Sequence, residues 1–281
     1  SSQQSYYYSA SGGAILNDAS SPSIVDCTFQ SNYSEYNGGA IYNKNFSSPS
    51  MTNCVFDGNV ALKGGAICNS SSSSTEATGC TFQNNIASYY GGAVYLLEYC
   101  SITMSSCVFS YNSAQFNGGG VYNLSGTLVL DDCTFNQNYS IDNGGGGIAL
   151  YSGDATINGS EFKNNIAPLG GGIYVGTSDS SLDVGTTFFC GNSVGHVSGD
   201  WNDLGGNEFF SSCDQGACCT NDTCVLIDQA MCIYVAGEYQ GLGTLCTNDT
   251  CPTECLGDLT GDGVVDVTDV LSIIGAWGAC P

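Results

Sequence analysis

Two short phrases recur in phase along the chain, and their spacing restricts the fold more than any other feature. GGAILN begins at Gly12, GGAIYN at Gly38, GGAICN at Gly64, GGAVYL at Gly91, GGGVYN at Gly118, GGGIAL at Gly145 and GGGIYV at Gly170. The steps between these glycines are 26, 26, 27, 27, 27 and 25 residues. CTFQSN at Cys27, CVFDGN at Cys54, CTFQNN at Cys80, CVFSYN at Cys107 and CTFNQN at Cys133 keep step, then decay to SEFKNN at Ser160 and TFFCGN at Thr187. A fixed period of this length marks an array in which each unit buries its apolar face only against its neighbours.

Inside each unit the apolar residues alternate in short runs, as in Ser101–Met104 and Thr127–Leu130, and no helical period appears. Glycine pairs separate the runs, because glycine reaches positive φ without a Cβ clash. Short strands, tight turns and a constant period predict an all-β fold, a right-handed parallel β-helix of about seven turns. Its coils would stack about 4.8 Å apart. Three columns follow. Ile15, Ile41, Ile67, Val94, Val121, Ile148 and Ile173 form one inward row, and Phe29, Phe56, Phe82, Phe109, Phe135, Phe162 and Phe189 form another. Asn32, Asn59, Asn85, Asn112, Asn138, Asn165 and Asn192 are expected to hydrogen-bond through their amides, as side chains do in cross-β ladders.

The GGA[IV] and FxxN phrases resemble the repeats of the polymorphic outer membrane proteins and of secreted right-handed β-helix proteins of the pectate-lyase-like superfamily. The likeness covers about two thirds of the chain, and implies a β-helix at a cell surface. Composition agrees with an extracellular setting. Twenty-six acidic residues stand against Lys44, Lys63 and Lys163, with no arginine, for a net charge of −23. Such a field repels nucleic acid and anionic membranes and favours cations. No apolar stretch is long enough to span a bilayer as a helix, and the polar opening SSQQSYYYSA reads as the start of a mature secreted form.

The expected domains are residues 1–212, the β-helix; 213–253, a cysteine-rich module; and 254–281, a calcium motif. Of 17 cysteines, Cys27, Cys54, Cys80, Cys107 and Cys133 form a column continued by Ser160 and Thr187. They read as buried thiols, with bridges between neighbouring coils as the alternative. Cys213, Cys218, Cys219, Cys224, Cys232, Cys246 and Cys251 crowd the second segment, and Cys255 and Cys280 flank the third. In an acidic chain of secreted character these nine are disulfide candidates, a zinc site being the weaker reading because the segment has no histidine. The pattern looks like small cysteine-rich modules of secreted bacterial proteins.

GDLTGDGVVDVTDVLSIIGAWG carries the sharpest chemical spacing. Asp258, Thr260, Asp262, the Val264 carbonyl, Asp266 and Asp269 fall at EF-hand positions 1, 3, 5, 7, 9 and 12, with Gly263 at the bend; this is a Ca2+ ligand set. Val270, Ile273, Ile274 and Trp277 then recur at helical spacing. The segment resembles one repeat of a type I dockerin, which implies calcium-dependent docking to a cohesin-like protein.

Catalysis is not expected. Polysaccharide lyases use an arginine or lysine base, and this chain has no arginine and three scattered lysines. Asp131 and Asp132 are the only adjacent carboxylates, and they fall at a corner where other units carry Asp26, Asn53 or Ser106. The single histidine, His196, is expected on the rim. Two non-enzymatic functions remain. A fibre subunit would join head to tail through its open edges. An adhesin would stack sugars on Tyr42, Tyr95, Tyr122 and Tyr174, which alternation turns away from the core. Sequons nominate Asn45, Asn69, Asn123, Asn221 and Asn248 for glycosylation, whereas Asn32 and Asn138 belong to the ladder.

Overall fold

The computed structural model describes residues 11–97, 99–213, 215–220, 223–228, 232 and 238–240. The chain divides into two compact units, Ser1–Ser212 and Cys213–Pro281. The first is a parallel β-solenoid. Three sheets of eight strands run its length, and a fourth of four strands covers part of it. The first sheet passes from Ile15–Asp18 to Val197–Ser198, the second from Ser23–Val25 to Asn202–Gly205, and the third from Thr28–Gln30 to Glu208–Phe210. The fourth comprises Val60–Lys63, Ile86–Tyr90, Ser113–Ala114 and Tyr139–Ser140.

Pairing is in register from coil to coil. Ile15 lies beside Ile41, Ile41 beside Ile67, Ile67 beside Val94 and Val94 beside Val121. From Ile41 onward this aliphatic row is fully buried. The phenylalanines stack with centroids 4.9 Å apart for Phe29 and Phe56 and 4.5 Å apart for Phe109 and Phe135. Each buried ring contributes roughly 1.5–3 kcal/mol of transfer free energy. An eighth, shorter coil follows the seven marked by the phrases. It lacks the glycine motif, yet Phe209 continues the stack at 5.0 Å from Phe189.

The glycine pair does two different jobs. Gly38 sits at φ 61°, a left-handed corner that side chains resist. Gly39 has no such dihedral, but a Cβ there would collide with the Gly65 carbonyl oxygen of the next coil. The first glycine serves the turn and the second serves close stacking.

Asparagines lock the corner after the phenylalanines. Asn112 Nδ2 donates to Asn138 Oδ1 at 2.9 Å and to the Phe82 carbonyl at 2.9 Å, while Asn112 Oδ1 accepts from Asn85 Nδ2 at 2.9 Å and from the Asn85 amide at 3.0 Å. The pattern repeats from Asn32 to Asn192. A second ladder runs through the last letter of the first three glycine phrases: Asn17, Asn43 and Asn69 are buried and bond in series at 2.8 Å.

The second unit contributes an antiparallel pair, Gln215–Thr220 with Thr223–Asp228, joined at the other edge by Glu238–Tyr239. Cys218 and Cys232 are bridged, and Cys213, Cys219 and Cys224 are also disulfide-bonded. Cys190, in the last phenylalanine phrase of the repeat, is disulfide-bonded too. Cys246, Cys251, Cys255, Cys280 and the EF-hand ligands Asp258, Thr260, Asp262, Val264, Asp266 and Asp269 lie outside the described residues.

The ladder yields a test. Asn112→Ala leaves the Phe82 carbonyl and two Asn85 donors without their partner, and should cost on the order of 4 kcal/mol in urea unfolding. Asn112→Asp places a carboxylate against the Phe82 carbonyl and Asn138 Oδ1. Its folded pKa is therefore raised, so its penalty should shrink as pH falls through the carboxyl range.

Candidate interaction surface

The tyrosines singled out for sugar stacking require a correction. Tyr42, Tyr95, Tyr122 and Tyr174 do stand on the outer side of the first sheet, in register with Leu16, Cys68 and Ala149. They are not an open platform, because Tyr95 is 2% and Tyr122 6% exposed. Tyr90, Leu97, Leu124 and Tyr151 pack over them and close a second apolar cluster outside the solenoid core. Tyr95 and Tyr122 stack face to face at 5.4 Å, and Tyr90 covers Tyr122 at 4.9 Å. Alternation sets the direction of a side chain, and tertiary neighbours decide whether water reaches it.

The exposed aromatic surface lies instead beyond the asparagine corner. Tyr33, Val60, Ile86, Ser113, Tyr139 and Ile166 align in one column through parallel pairing. Tyr33 is 70%, Ile86 47%, Tyr139 41% and Ile166 50% exposed. Tyr36 and Tyr89 add two more exposed rings, and Tyr89 leans on Phe116 at 5.6 Å. Asp142, in the loop after Tyr139–Ser140, accepts from Gln115 Nε2 at 2.8 Å. No phrase marked this face, because Tyr33, Ile86 and Tyr139 differ from coil to coil while the motif letters do not.

The remaining candidates are structural. Asp131 and Asp132 are exposed, and Asp132 shares a left-handed corner with Asp26, Asn53 and Ser106, all at φ 52°. His196 is half-buried rather than on the rim: its ring meets Phe189 and Phe209, and its Nδ1 lies 3.2 Å from Asn192 Nδ2. Burial pushes its pKa down. Lys44 pairs with Asp18 at 3.0 Å and Lys163 with Glu161 at 2.7 Å, while Lys63 stands over the Tyr95 ring at 5.5 Å. Among the described residues no group of three or more His, Cys, Asp or Glu converges as a metal site. No helix among them is long and apolar enough to cross a membrane.

Two glycosylation candidates are overturned. Asn69 and Asn123 are fully buried, and Asn123 Nδ2 donates to the Gly126 carbonyl at 3.0 Å. A sequon inside the coil is an interior asparagine that happens to precede Ser or Thr by two. Asn45 is exposed at φ 55° and donates to Asp18 at 2.7 Å. Asn221 and Asn248 lie outside the described residues.

Burial raises the Tyr122 phenol and pushes Tyr151 up to about 12. A phenol with a raised folded pKa stabilises the neutral form, and that contribution is intact below an unfolded pKa of about 10. Stability should therefore fall as pH rises from about 10 towards the folded value near 12. A phenolate absorbance titration should show Tyr151 ionising late, and Tyr151→Phe should weaken that alkaline loss.

Residues 26–44 and 53–70 match the Chlamydia polymorphic membrane protein repeat. No curated protein and no solved structure matches the chain. Residues 64–231, more than half of the sequence, match the family described as a right-handed β-helix region. With parallel sheets, in-register columns and that match together, the chain belongs to the right-handed β-helix family.

Proposed function

We propose that this protein is a non-catalytic extracellular surface scaffold, whose outer aromatic face holds an uncharged polysaccharide. The observation that carries the reading is the row of exposed rings and β-branched side chains on one side of the solenoid, Tyr33, Ile86, Tyr139 and Ile166. Rings laid along a rigid axis suit a chain molecule, and each adds stacking of about 0.5–1.5 kcal/mol. The polymorphic membrane protein repeats support a cell-surface setting. The charge of −23 opposes polyanions and close lateral packing of like copies, but leaves a neutral glycan unpenalised. Right-handed β-helices include enzymes; against that reading, Asp131 and Asp132 are exposed, Asp132 at a left-handed corner, and His196 packs against Phe189 and Phe209. Tyr139→Ala and Tyr89→Ala should each weaken binding to neutral glycans about five-fold, equivalent to about 1 kcal/mol. A glycan array showing binding unchanged by both substitutions would remove this face from consideration.

A second reading is assembly head to tail into fibres. Among the described residues, strand Ile15–Asp18 pairs on one side only, with Ile41–Lys44, which leaves an edge able to template another copy. In this reading the dockerin-like Asp258, Thr260, Asp262, Val264, Asp266 and Asp269 bind Ca2+ and steady the joint, or dock to a cohesin-like partner. Electron microscopy with calcium and after chelation separates the outcomes. Filaments lost on chelation support the joint, and single particles under both conditions dismiss the fibre.

A further inference from the structure

The first column of cysteines has an arrangement that neither scaffold reading uses. Cys27, Cys54, Cys80, Cys107 and Cys133 are free thiols. The last four are fully buried, whereas Cys27 is exposed at the end of the row. Each is fixed by its coil: the Cys27 carbonyl accepts the Val55 amide, the Cys54 carbonyl the Thr81 amide, and the Cys80 carbonyl the Val108 amide, all at 2.9 Å. Successive cysteines are therefore one strand spacing apart, about 4.8 Å, inside the Cα range of about 4.4–6.8 Å that a disulfide spans. Their thiols are held alike in every coil: Cys54 Sγ donates to the Thr52 carbonyl at 3.4 Å, Cys80 Sγ to the Thr78 carbonyl at 3.5 Å, Cys107 Sγ to the Ser105 carbonyl at 3.4 Å and Cys133 Sγ to the Asp131 carbonyl at 3.4 Å.

Thiol–disulfide exchange proceeds by attack of one sulfur on another with the leaving sulfur displaced. A column generated by translation along one axis sets attacking, central and leaving sulfurs in a row. We propose that this column is a thiol–disulfide relay, loaded by a small-molecule disulfide at Cys27 and discharging into bridges between the buried coils. Cys27 takes the oxidant as a mixed disulfide and releases one small thiol. Cys54 attacks Cys27 Sγ, forming Cys27–Cys54 and releasing the second small thiol. Cys80 then attacks Cys54 Sγ, and the proton it loses returns to the freed Cys27. Repetition through Cys107 moves the first bridge to Cys107–Cys133, where the row ends at Ser160. A second round leaves Cys54–Cys80 and a free Cys27. Each bridge consumes two thiols and one small disulfide and yields two small thiols, so two electrons leave the protein per bridge. The chain holds disulfides elsewhere, including Cys218–Cys232, so oxidation is compatible with its fold.

Serine variants are suitable probes, because Ser160 already occupies the column with its Oγ bonded to the Asn158 carbonyl at 2.9 Å. The full chain, its column thiols free, is incubated with oxidised glutathione, alkylated and mapped by peptide mass spectrometry. Wild type should lose the Cys54, Cys80, Cys107 and Cys133 thiols to bridges and leave Cys27 outside any bridge, as the thiol or as its glutathione adduct. Cys27→Ser should leave the interior reduced on the same timescale. Cys80→Ser should stop the relay early, giving Cys27–Cys54 alone, with Cys107 and Cys133 reduced. The relay is overturned if wild type gains only a mixed disulfide at Cys27. It is equally overturned if Cys27→Ser oxidises inside as fast as wild type, or if Cys80→Ser still bridges Cys107 to Cys133.

Discussion

In-register stacking of the asparagine amides is the constraint from which most of the solenoid follows. An amide can bond up and down a column only if each coil repeats the last one's backbone path at the same height. Asn59, Asn85, Asn112, Asn138 and Asn165 meet that demand fully buried. Each also ties its corner to the phenylalanine carbonyl of the preceding coil, such as Asn138 to Phe109 at 3.0 Å. A buried amide without these partners would carry a desolvation cost of about 1–3 kcal/mol per orphaned group. One displaced coil therefore penalises both neighbours. That coupling explains why the phenylalanine rings stack at near-constant spacing, and why the second glycine of each pair tolerates no Cβ.

The same register builds two apolar layers of different character. Inside, aliphatic, phenylalanine and cysteine columns fill a continuous core from Ile24 to Phe189. Outside the first sheet, Tyr95 and Tyr122 gather a smaller cluster around Cys68 and Ala149. Its rings bury their bodies against neighbours, and Tyr42 takes a bond from Ser70 Oγ at 2.8 Å. Beyond the asparagine corner one position per coil stays small and buried, as at Ala61, Ala87, Ala114 and Ser140, while the outward positions beside it vary. Variation at fixed height is how a repeat scaffold presents a surface of its own, and the exposed tyrosines fall in that region.

Much of this was readable from letters alone. The period, the three inward columns and the parallel fold follow from Gly12, Phe29, Asn32 and their recurrences, because a residue required at every coil must recur at every coil. Features that do not recur were missed or misplaced. The eighth coil has no glycine phrase and shows itself only through Phe209 on the ring stack. Asn69 and Asn123 do recur, as the last letter of the glycine phrase, and read as surface sequons although both are fully buried. His196 looked like a rim residue and lies against Phe189 and Phe209.

By itself the sequence determined the coil: its length, its register and which side chains alternate inward. These are local and periodic consequences of glycine φ, amide ladders and strand pleat, and each is written once per repeat. Only the tertiary structure decided exposure. Tyr95 and Tyr33 both point away from the core, yet one is 2% and the other 70% exposed. The difference comes from Tyr90, Leu97 and Leu124 folding over one column, with nothing comparable over the other among the described residues, a matter of packing between coils that no period encodes.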